Sequence, residues 1–70
     1  MPSMSTSHNT VRRARLDLEL SQEKLAALAE VSPKTVARLE ADKPVRALSR
    51  ERVQRALTRL YSQREYGGFA

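Results

Sequence analysis

The segment Ser21–Glu40, SQEKLAALAEVSPKTVARLE, contains the signals of two short helices joined by a tight turn. Ser21 is a favourable N-cap for the first of these helices. Ser32 caps the second, and Pro33 at its first position loses no hydrogen bond because that N–H has no partner inside the helix. A turn of about two or three residues separates the two helices, so the sequence predicts a helix-turn-helix with Val31 directed into the core beneath both.

Helical signals continue on both sides of this segment. An earlier helix is predicted from Asn9 or Thr10 to Leu18, and one of its faces carries Val11, Ala14, Arg15 and Leu18. A later helix opens at Ser49, with Val53, Ala56, Leu57 and Leu60 on its apolar face. The sequence therefore predicts an all-α fold, a compact bundle of four or five short helices. We expect residues 9–61 to form the domain, residues 1–8 a flexible N-terminal arm and residues 62–70 a C-terminal tail.

The composition excludes most enzyme chemistry. The chain has 70 residues, no cysteine and a single histidine, His8, so it can form no disulfide, thiolate zinc site or histidine cluster. No carboxylate pair or glycine-rich phosphate loop can be assembled, and we expect no enzyme, no cofactor and no metal. The longest apolar run, Leu25–Ala29, is far shorter than the roughly 20 residues that cross a bilayer. With no secretory pattern at the N-terminus, we expect a cytoplasmic protein without a membrane partner.

The net charge is positive, and the basic residues are concentrated in one part of the chain. Thirteen Lys and Arg against eight Asp and Glu give a net charge of +5, which is typical of proteins that bind polyanions. Between residues 43 and 64 the only acid is Glu51, and the bases are Lys43, Arg46, Arg50, Arg52, Arg55, Arg59 and Arg64. The alternative is that these side chains only solubilise the surface.

The segment resembles the lambda-repressor-like (Cro and Xre) family of DNA-binding domains. The residues that match the family pattern are Ser21-Gln22, Leu25-Ala26, Val31-Ser32, Thr35-Val36 and Glu40. The likeness extends over about Val11 to Leu60. Two departures occur where the family has glycine, because Glu19 and Glu30 stand there instead. Glutamate tolerates a positive φ poorly, so we expect slightly different turn geometry within the same fold.

Two opposite charges fall on apolar faces. Arg15 lies on the core-facing side of the first helix, and Glu40, four residues after Val36, lies on that of the third. A buried unpaired charge costs several kcal/mol, so packing both helices inward predicts an Arg15–Glu40 ion pair, as the resemblance also implies. The alternative is that one of these side chains extends to water.

The second helix of such a motif lies in the major groove of duplex DNA, with its N-terminal residues at the base edges. Lys34 and Arg38 share one helical face opposite Val36 and Leu39, and Arg38 can bind guanine O6 and N7 with two hydrogen bonds. The predicted base-reading residues are Ser32, Pro33, Lys34, Thr35 and Arg38. For Thr35 the alternative is a local role in capping and packing.

A second group of residues is predicted to bind phosphates. The resemblance implies that Gln22 contacts the DNA backbone at the start of its helix and that Lys43 and Arg46 do so from the following loop. Arg12 and Arg13 are also assigned to phosphate, with solvated surface as the alternative.

These patterns predict a sequence-specific double-stranded DNA-binding transcriptional regulator, a repressor that binds a palindromic operator as a homodimer. An alternative is the antitoxin of a toxin–antitoxin pair that autoregulates its operon, and another is a protein-interaction module on the same fold. The arginines at positions 50, 52, 55 and 59 exceed what one DNA half-site needs, so they could meet flanking DNA or an acidic partner, and a toxin or the transcription machinery is a further candidate partner. The aromatic residues Tyr61, Tyr66 and Phe69 could pack on a second copy or on their own core. The expected location is the nucleoid of a prokaryotic or phage-infected cell.

Overall fold

A computed structural model describes residues 7–67 of the chain, with side chains for residues 10–64. Within these residues the fold is all α and contains four helices, which are α1 (Ser7–Asp17), α2 (Gln22–Ala29), α3 (Pro33–Glu40) and α4 (Ala47–Gly67). The predicted all-α architecture with a helix-turn-helix at α2 and α3 is confirmed.

The predicted N-caps of α2 and α3 are confirmed. The Ser21 hydroxyl accepts a hydrogen bond from the Lys24 N–H at 3.0 Å, and the Ser32 hydroxyl accepts one from the Thr35 N–H at 3.2 Å. Each serine thereby satisfies an N–H that has no partner within its own helix. Pro33 follows Ser32 at the start of α3, so the start of this helix is fixed by two adjacent residues.

A residue in the left-handed conformation ends each of the first three helices: Glu19 (φ 58°), Glu30 (φ 61°) and Asp42 (φ 61°). After α2, the Glu30 N–H donates to the carbonyl of Ala27 at 3.2 Å. The next N–H, that of Val31, donates to the carbonyl of Ala26 at 2.9 Å. The same pair of bonds follows α1 and α3. This pattern is the Schellman motif, which is usually built around glycine.

The expectation of altered turn geometry at Glu19 and Glu30 is therefore wrong. Both glutamates adopt the left-handed conformation that glycine favours, although this costs a residue with a Cβ about 1–2 kcal/mol. The conformation persists because it satisfies two carbonyls at each helix end and directs the next apolar residue inward. After Glu19 that residue is Leu20, and after Glu30 it is Val31; both are half-buried against the core.

Three predicted boundaries differ from the structure. Helix α1 begins at Ser7, inside the arm predicted for residues 1–8, and residues 1–6 lie outside the described part of the chain. Helix α4 begins at Ala47, not at Ser49, with the Arg50 N–H bonded to the carbonyl of Arg46 at 3.0 Å. It continues to Gly67, so residues 62–67 of the predicted tail are helical and no separate fifth helix forms within residues 7–67. No glycine or proline precedes Gly67 in this stretch to stop the helix.

The core is small and purely aliphatic. All four helices contribute to it, through the buried residues Val11, Leu25, Ala26, Ala29, Val36, Leu39, Val53, Ala56 and Leu57. The apolar positions predicted for α1 and α4 are buried or half-buried, and Val31 packs against the same core. No helix in residues 7–67 is apolar enough over a sufficient length to cross a bilayer.

Candidate nucleic-acid interface

Helix α3 has one buried face and one cationic face. Val36 is completely buried and Leu39 is 7% exposed, so these two residues fix the side of α3 that faces the core. Lys34 and Arg38 lie about half a helical turn away from that side, and both are exposed. The bundle therefore holds two positive side chains, one turn apart, on the outward face of α3.

The N-terminus of α3 presents small and capped residues beside this cationic face. Ser32 and Pro33 are exposed, whereas Thr35 is half-buried. The hydroxyl of Thr35 lies 3.0 Å from that of Ser32, which also caps the helix. The hydroxyl groups thus take part in the local cap, which matches the capping role considered for Thr35. The predicted base-reading residues all lie within the first two turns of one helix and its cap.

Arg38 lies in an open groove of about 530 Å³ between α3 and the start of α4, whose lining residues are Thr35, Arg38, Pro44, Val45, Arg46 and Ser49. Its Nε donates to the carbonyl of Pro44 at 3.4 Å. This bond directs the guanidinium along the loop and uses only one of its five N–H groups. Arg46 lines the same groove, and Lys43 is exposed in the same loop. The structure therefore groups Arg38 with the predicted phosphate-binding residues of the loop.

The Arg15–Glu40 ion pair predicted from the sequence is present. The Nε of Arg15 donates to Glu40 Oε2 at 2.6 Å and its Nη2 donates to Oε1 at 3.0 Å, which is a bidentate arrangement. The two side chains are only 12% and 6% exposed. A third bond runs from Arg15 Nη1 to the carbonyl of Leu20 at 2.9 Å. The pair therefore ties α1 to the end of α3 and also to the loop before α2.

The electrostatics of this pair favour both charged forms. Burial by itself raises the pKa of Glu40, but hydrogen bonds from Arg15 and Gln22 and the charge of Arg15 together hold it below its usual value. The hydrogen bond with Glu40 raises the pKa of Arg15 in turn. Both groups are consequently ionised at neutral pH, as a buried pair requires.

Gln22 joins this network, which the sequence did not predict. Its Nε2 donates to Glu40 Oε1 at 3.0 Å, and the residue is half-buried at the first position of α2. The sequence assigned Gln22 to phosphate and Glu40 to Arg15, without connecting the two assignments. No local pattern connects them, because the contact forms only when the start of α2 packs against the end of α3.

The structure separates the two arginines of α1 that the sequence grouped together. Arg12 precedes Arg15 by three residues and therefore lies on the same face of α1, and its charge helps to hold the pKa of Glu40 below its usual value. Arg13 instead lines a different groove, between α1 and α4, together with Leu16 and Tyr61. Arg12 therefore groups with Gln22, and Arg13 does not.

Arg52, Arg55 and Arg59 are exposed at spacings of three and four residues and share one side of α4, which we call the cationic face of α4, whereas the exposed Arg50 lies about half a helical turn away from them. Arg52 Nη1 donates to the carbonyl of Glu30 at 3.2 Å, which adds a cation at the C-terminal end of α2. None of the four forms an ion pair with residues 10–64. Arg64, farther along α4, is paired with Asp17 at 3.0 Å, and the Tyr61 hydroxyl donates to the same carboxylate. Burial and the bond to Asp17 raise the pKa of Tyr61.

The fold, with its helix-turn-helix at α2 and α3, is that of a DNA-binding helix-turn-helix regulator. A family model described as helix-turn-helix matches residues 11–60, well over half of the chain. The chain therefore belongs to the helix-turn-helix family of the Cro and Xre type, as the sequence pattern predicted. No curated protein and no solved structure matches the chain.

Proposed function

We propose that this protein is a sequence-specific transcriptional repressor that inserts the N-terminal half of α3 into the major groove of its operator. The observation that carries the proposal is the exposure of Lys34 and Arg38 on the face of α3 opposite the core. Arg38 has a fork of N–H donors that fits guanine O6 and N7, a contact that contributes about 1–3 kcal/mol of base discrimination. Ser32, Pro33 and Thr35 complete the surface that meets the base edges.

Phosphate contacts set the register of α3 in the groove. Gln22 and Arg12 serve one side of the helix-turn-helix, and Lys43 and Arg46 serve the other. Exposed N–H groups at the start of α2 add the positive end of a helix dipole. The protein acts without catalysis, and its site of action is the nucleoid in the cytoplasm of a prokaryotic or phage-infected cell.

The functional unit of the proposal is a homodimer on a palindromic operator. A single helix-turn-helix domain reads one half-site, and two-fold related domains read half-sites about 34 Å apart. Repression follows from occupancy, because a dimer bound across a promoter excludes the transcription machinery.

The test is to select bound sites from a random duplex pool. The wild-type chain is expected to enrich a palindromic consensus with half-sites one helical turn apart. Arg38→Ala is expected to relax the preference at one position of each half-site, because its bidentate contact is lost. Arg59→Ala, the matched control, removes an arginine of α4 that is also exposed and is expected to leave the consensus unchanged. Failure of the wild-type chain to enrich any sequence would contradict the proposal.

Salt dependence tests the phosphate contacts separately. If the dimer makes about eight such contacts, log K falls against log salt concentration with a slope near −7. Arg12→Gln in both subunits is expected to make that slope less steep by about 2, because two phosphate contacts disappear. Arg13→Gln, which alters the neighbouring arginine on the other side of α1, is expected to leave it unchanged. A wild-type slope flatter than about −2 is incompatible with this interface.

A second candidate, an antitoxin or another protein-binding role, is supported by the cationic face of α4. Its arginines form no ion pair with residues 10–64, and they lie on a different helix from Lys34. Purification of the chain together with the products of its neighbouring genes tests this role. The expected result is a complex that Arg55→Gln and Arg59→Gln together disrupt while Lys34→Ala and Arg38→Ala do not.

A further inference from the structure

The carboxylate of Glu40 accepts three hydrogen bonds. Two come from Arg15, and the third comes from the side-chain amide of Gln22, whose Nε2 lies 3.0 Å from Glu40 Oε1. The bidentate pair is complete without the third bond. Gln22 is thus an addition to the pair, and it stands at the first position of α2, where the helix begins.

The chemistry of the two groups fixes the orientation of the amide. An ionised carboxylate only accepts hydrogen bonds, whereas an amide donates from nitrogen and accepts at oxygen. Glu40 can therefore bind the nitrogen end of Gln22 and repels its oxygen end. The amide nitrogen carries two hydrogens, and Glu40 uses one of them.

We propose that Glu40 is a positioning residue for DNA binding: it holds the Gln22 amide so that its second N–H is available to a phosphate oxygen of the operator. A flipped amide presents its carbonyl oxygen to the phosphate, and the two acceptors repel. The inference rests on the proposed function, since it concerns the phosphate contact of Gln22.

The surroundings of Gln22 fit an anion in this position. Backbone N–H groups at the start of α2 point out of the helix, and the positive end of its dipole lies there. Arg12 is close enough for its charge to act on Glu40. Arg15 neutralises Glu40, so the carboxylate can orient Gln22 without repelling the phosphate. Because the amide is already oriented in the free protein, binding loses less side-chain freedom.

The experiment is a double-mutant cycle on operator affinity. Removing Glu40 alone leaves Arg15 unpaired and endangers the fold, so both are replaced together in Arg15→Met/Glu40→Met, an apolar exchange that such pairs tolerate. This variant and Gln22→Ala are each expected to weaken operator binding by the dimer about 25-fold, because one hydrogen bond worth about fivefold in affinity is lost in each of the two subunits. Combining all three substitutions is expected to weaken it no further than either alone.

Two additional measurements separate positioning from a structural effect. Urea unfolding must show that each variant is folded under the binding conditions. The salt slope of binding is expected to stay unchanged in Gln22→Ala, because a neutral amide releases no counterion from DNA. A Lys43→Gln variant, which removes a charge proposed to bind phosphate, is expected to make the salt slope less steep.

The possible failures are distinguishable. If Gln22→Ala weakens binding by the same factor with and without the Arg15–Glu40 pair, Glu40 does not position the amide and the inference is overturned. The same holds if folded Arg15→Met/Glu40→Met binds the operator like wild type. If Arg38→Ala has no effect on binding either, the proposed function itself fails.

Discussion

Arg15 shows how one residue constrains the packing of this small domain. Its guanidinium lies on the apolar face of α1, is 12% exposed, and donates to both oxygens of Glu40 and to the carbonyl of Leu20. The Coulomb attraction and the hydrogen bonds offset the loss of hydration that both charges incur. Removal of either partner leaves the other charge buried without compensation.

Arg15→Met is expected to destabilise the protein by about 3 kcal/mol, because Glu40 then stays buried without its cation. The free energy of unfolding of Arg15→Met/Glu40→Met is expected to lie within about 1 kcal/mol of that of the wild type. Urea denaturation followed by circular dichroism measures both. Equal losses in the single and double variants would contradict this account of the pair.

Acid should weaken the fold through Glu40. The pKa of this residue is lower in the folded chain than its ordinary value of 4.5, so the unfolded chain binds more protons between the two values. The stability that ionised Glu40 contributes to the fold is therefore complete above about pH 4.5 and is lost as the pH falls through the pKa of Glu40 in the folded chain. Urea midpoints are expected to change little from pH 7 to 5 and to drop below pH 4.5. In Arg15→Met/Glu40→Met this drop is expected to be smaller.

At the scale of the elements, hydrogen bonds at the helix termini determine where the first three helices begin or end. Serine caps start α2 and α3, and Schellman motifs end α1, α2 and α3. The end motifs carry an avoidable cost, because each contains a residue with a Cβ at a positive φ. Hydrogen bonds maintain all three motifs, and the inward packing of Leu20 and Val31 adds to the first two.

Glu30→Gly is expected to stabilise the protein by about 0.5–1 kcal/mol, because glycine adopts the left-handed conformation without steric cost. Glu23→Gly is the matched control: the same exchange within the first turn of α2 is expected to destabilise by roughly the same amount. Thermal unfolding of the two variants measures whether each substitution raises or lowers the stability. A loss of stability in Glu30→Gly would show that the glutamate side chain itself contributes.

At the scale of the whole molecule, the long helix α4 determines how the bundle closes. Its first half packs Val53, Ala56 and Leu57 into the core. Its second half extends past the family match and is tied to α1 where Tyr61 and Arg64 both donate to Asp17. The Arg64 and Asp17 side chains are 56% and 54% exposed, so water and salt weaken this link.

Asp17→Ala is expected to lower stability by at most about 1 kcal/mol, because it removes two exposed bonds at once. Tyr61→Phe, which removes one of them, is expected to cost about half as much. The difference between wild type and Asp17→Ala should shrink in 1 M NaCl, where the ion pair is screened. A loss of several kcal/mol would show that α4 depends on this contact for its position.

Local signals were sufficient for much of the fold. The caps at Ser21 and Ser32, the apolar periodicity of α1 and α4, and the paired charges of Arg15 and Glu40 all predicted contacts that the structure contains. Capping and periodicity depend on neighbours within one turn, so they can be read from the sequence directly. The exposure of Lys34 and Arg38 followed from the same periodicity.

The sequence by itself determined the helices of the motif, their buried faces and the residue types available to meet DNA. Only the tertiary structure decided that Gln22 reaches Glu40, that Arg13 lines a groove with Tyr61 of α4, and that Glu19 and Glu30 take the conformation of glycine. The reason is that these features depend on residues distant in the chain: side chains from different helices meet only after packing, and packing can impose a backbone conformation that local preference disfavours.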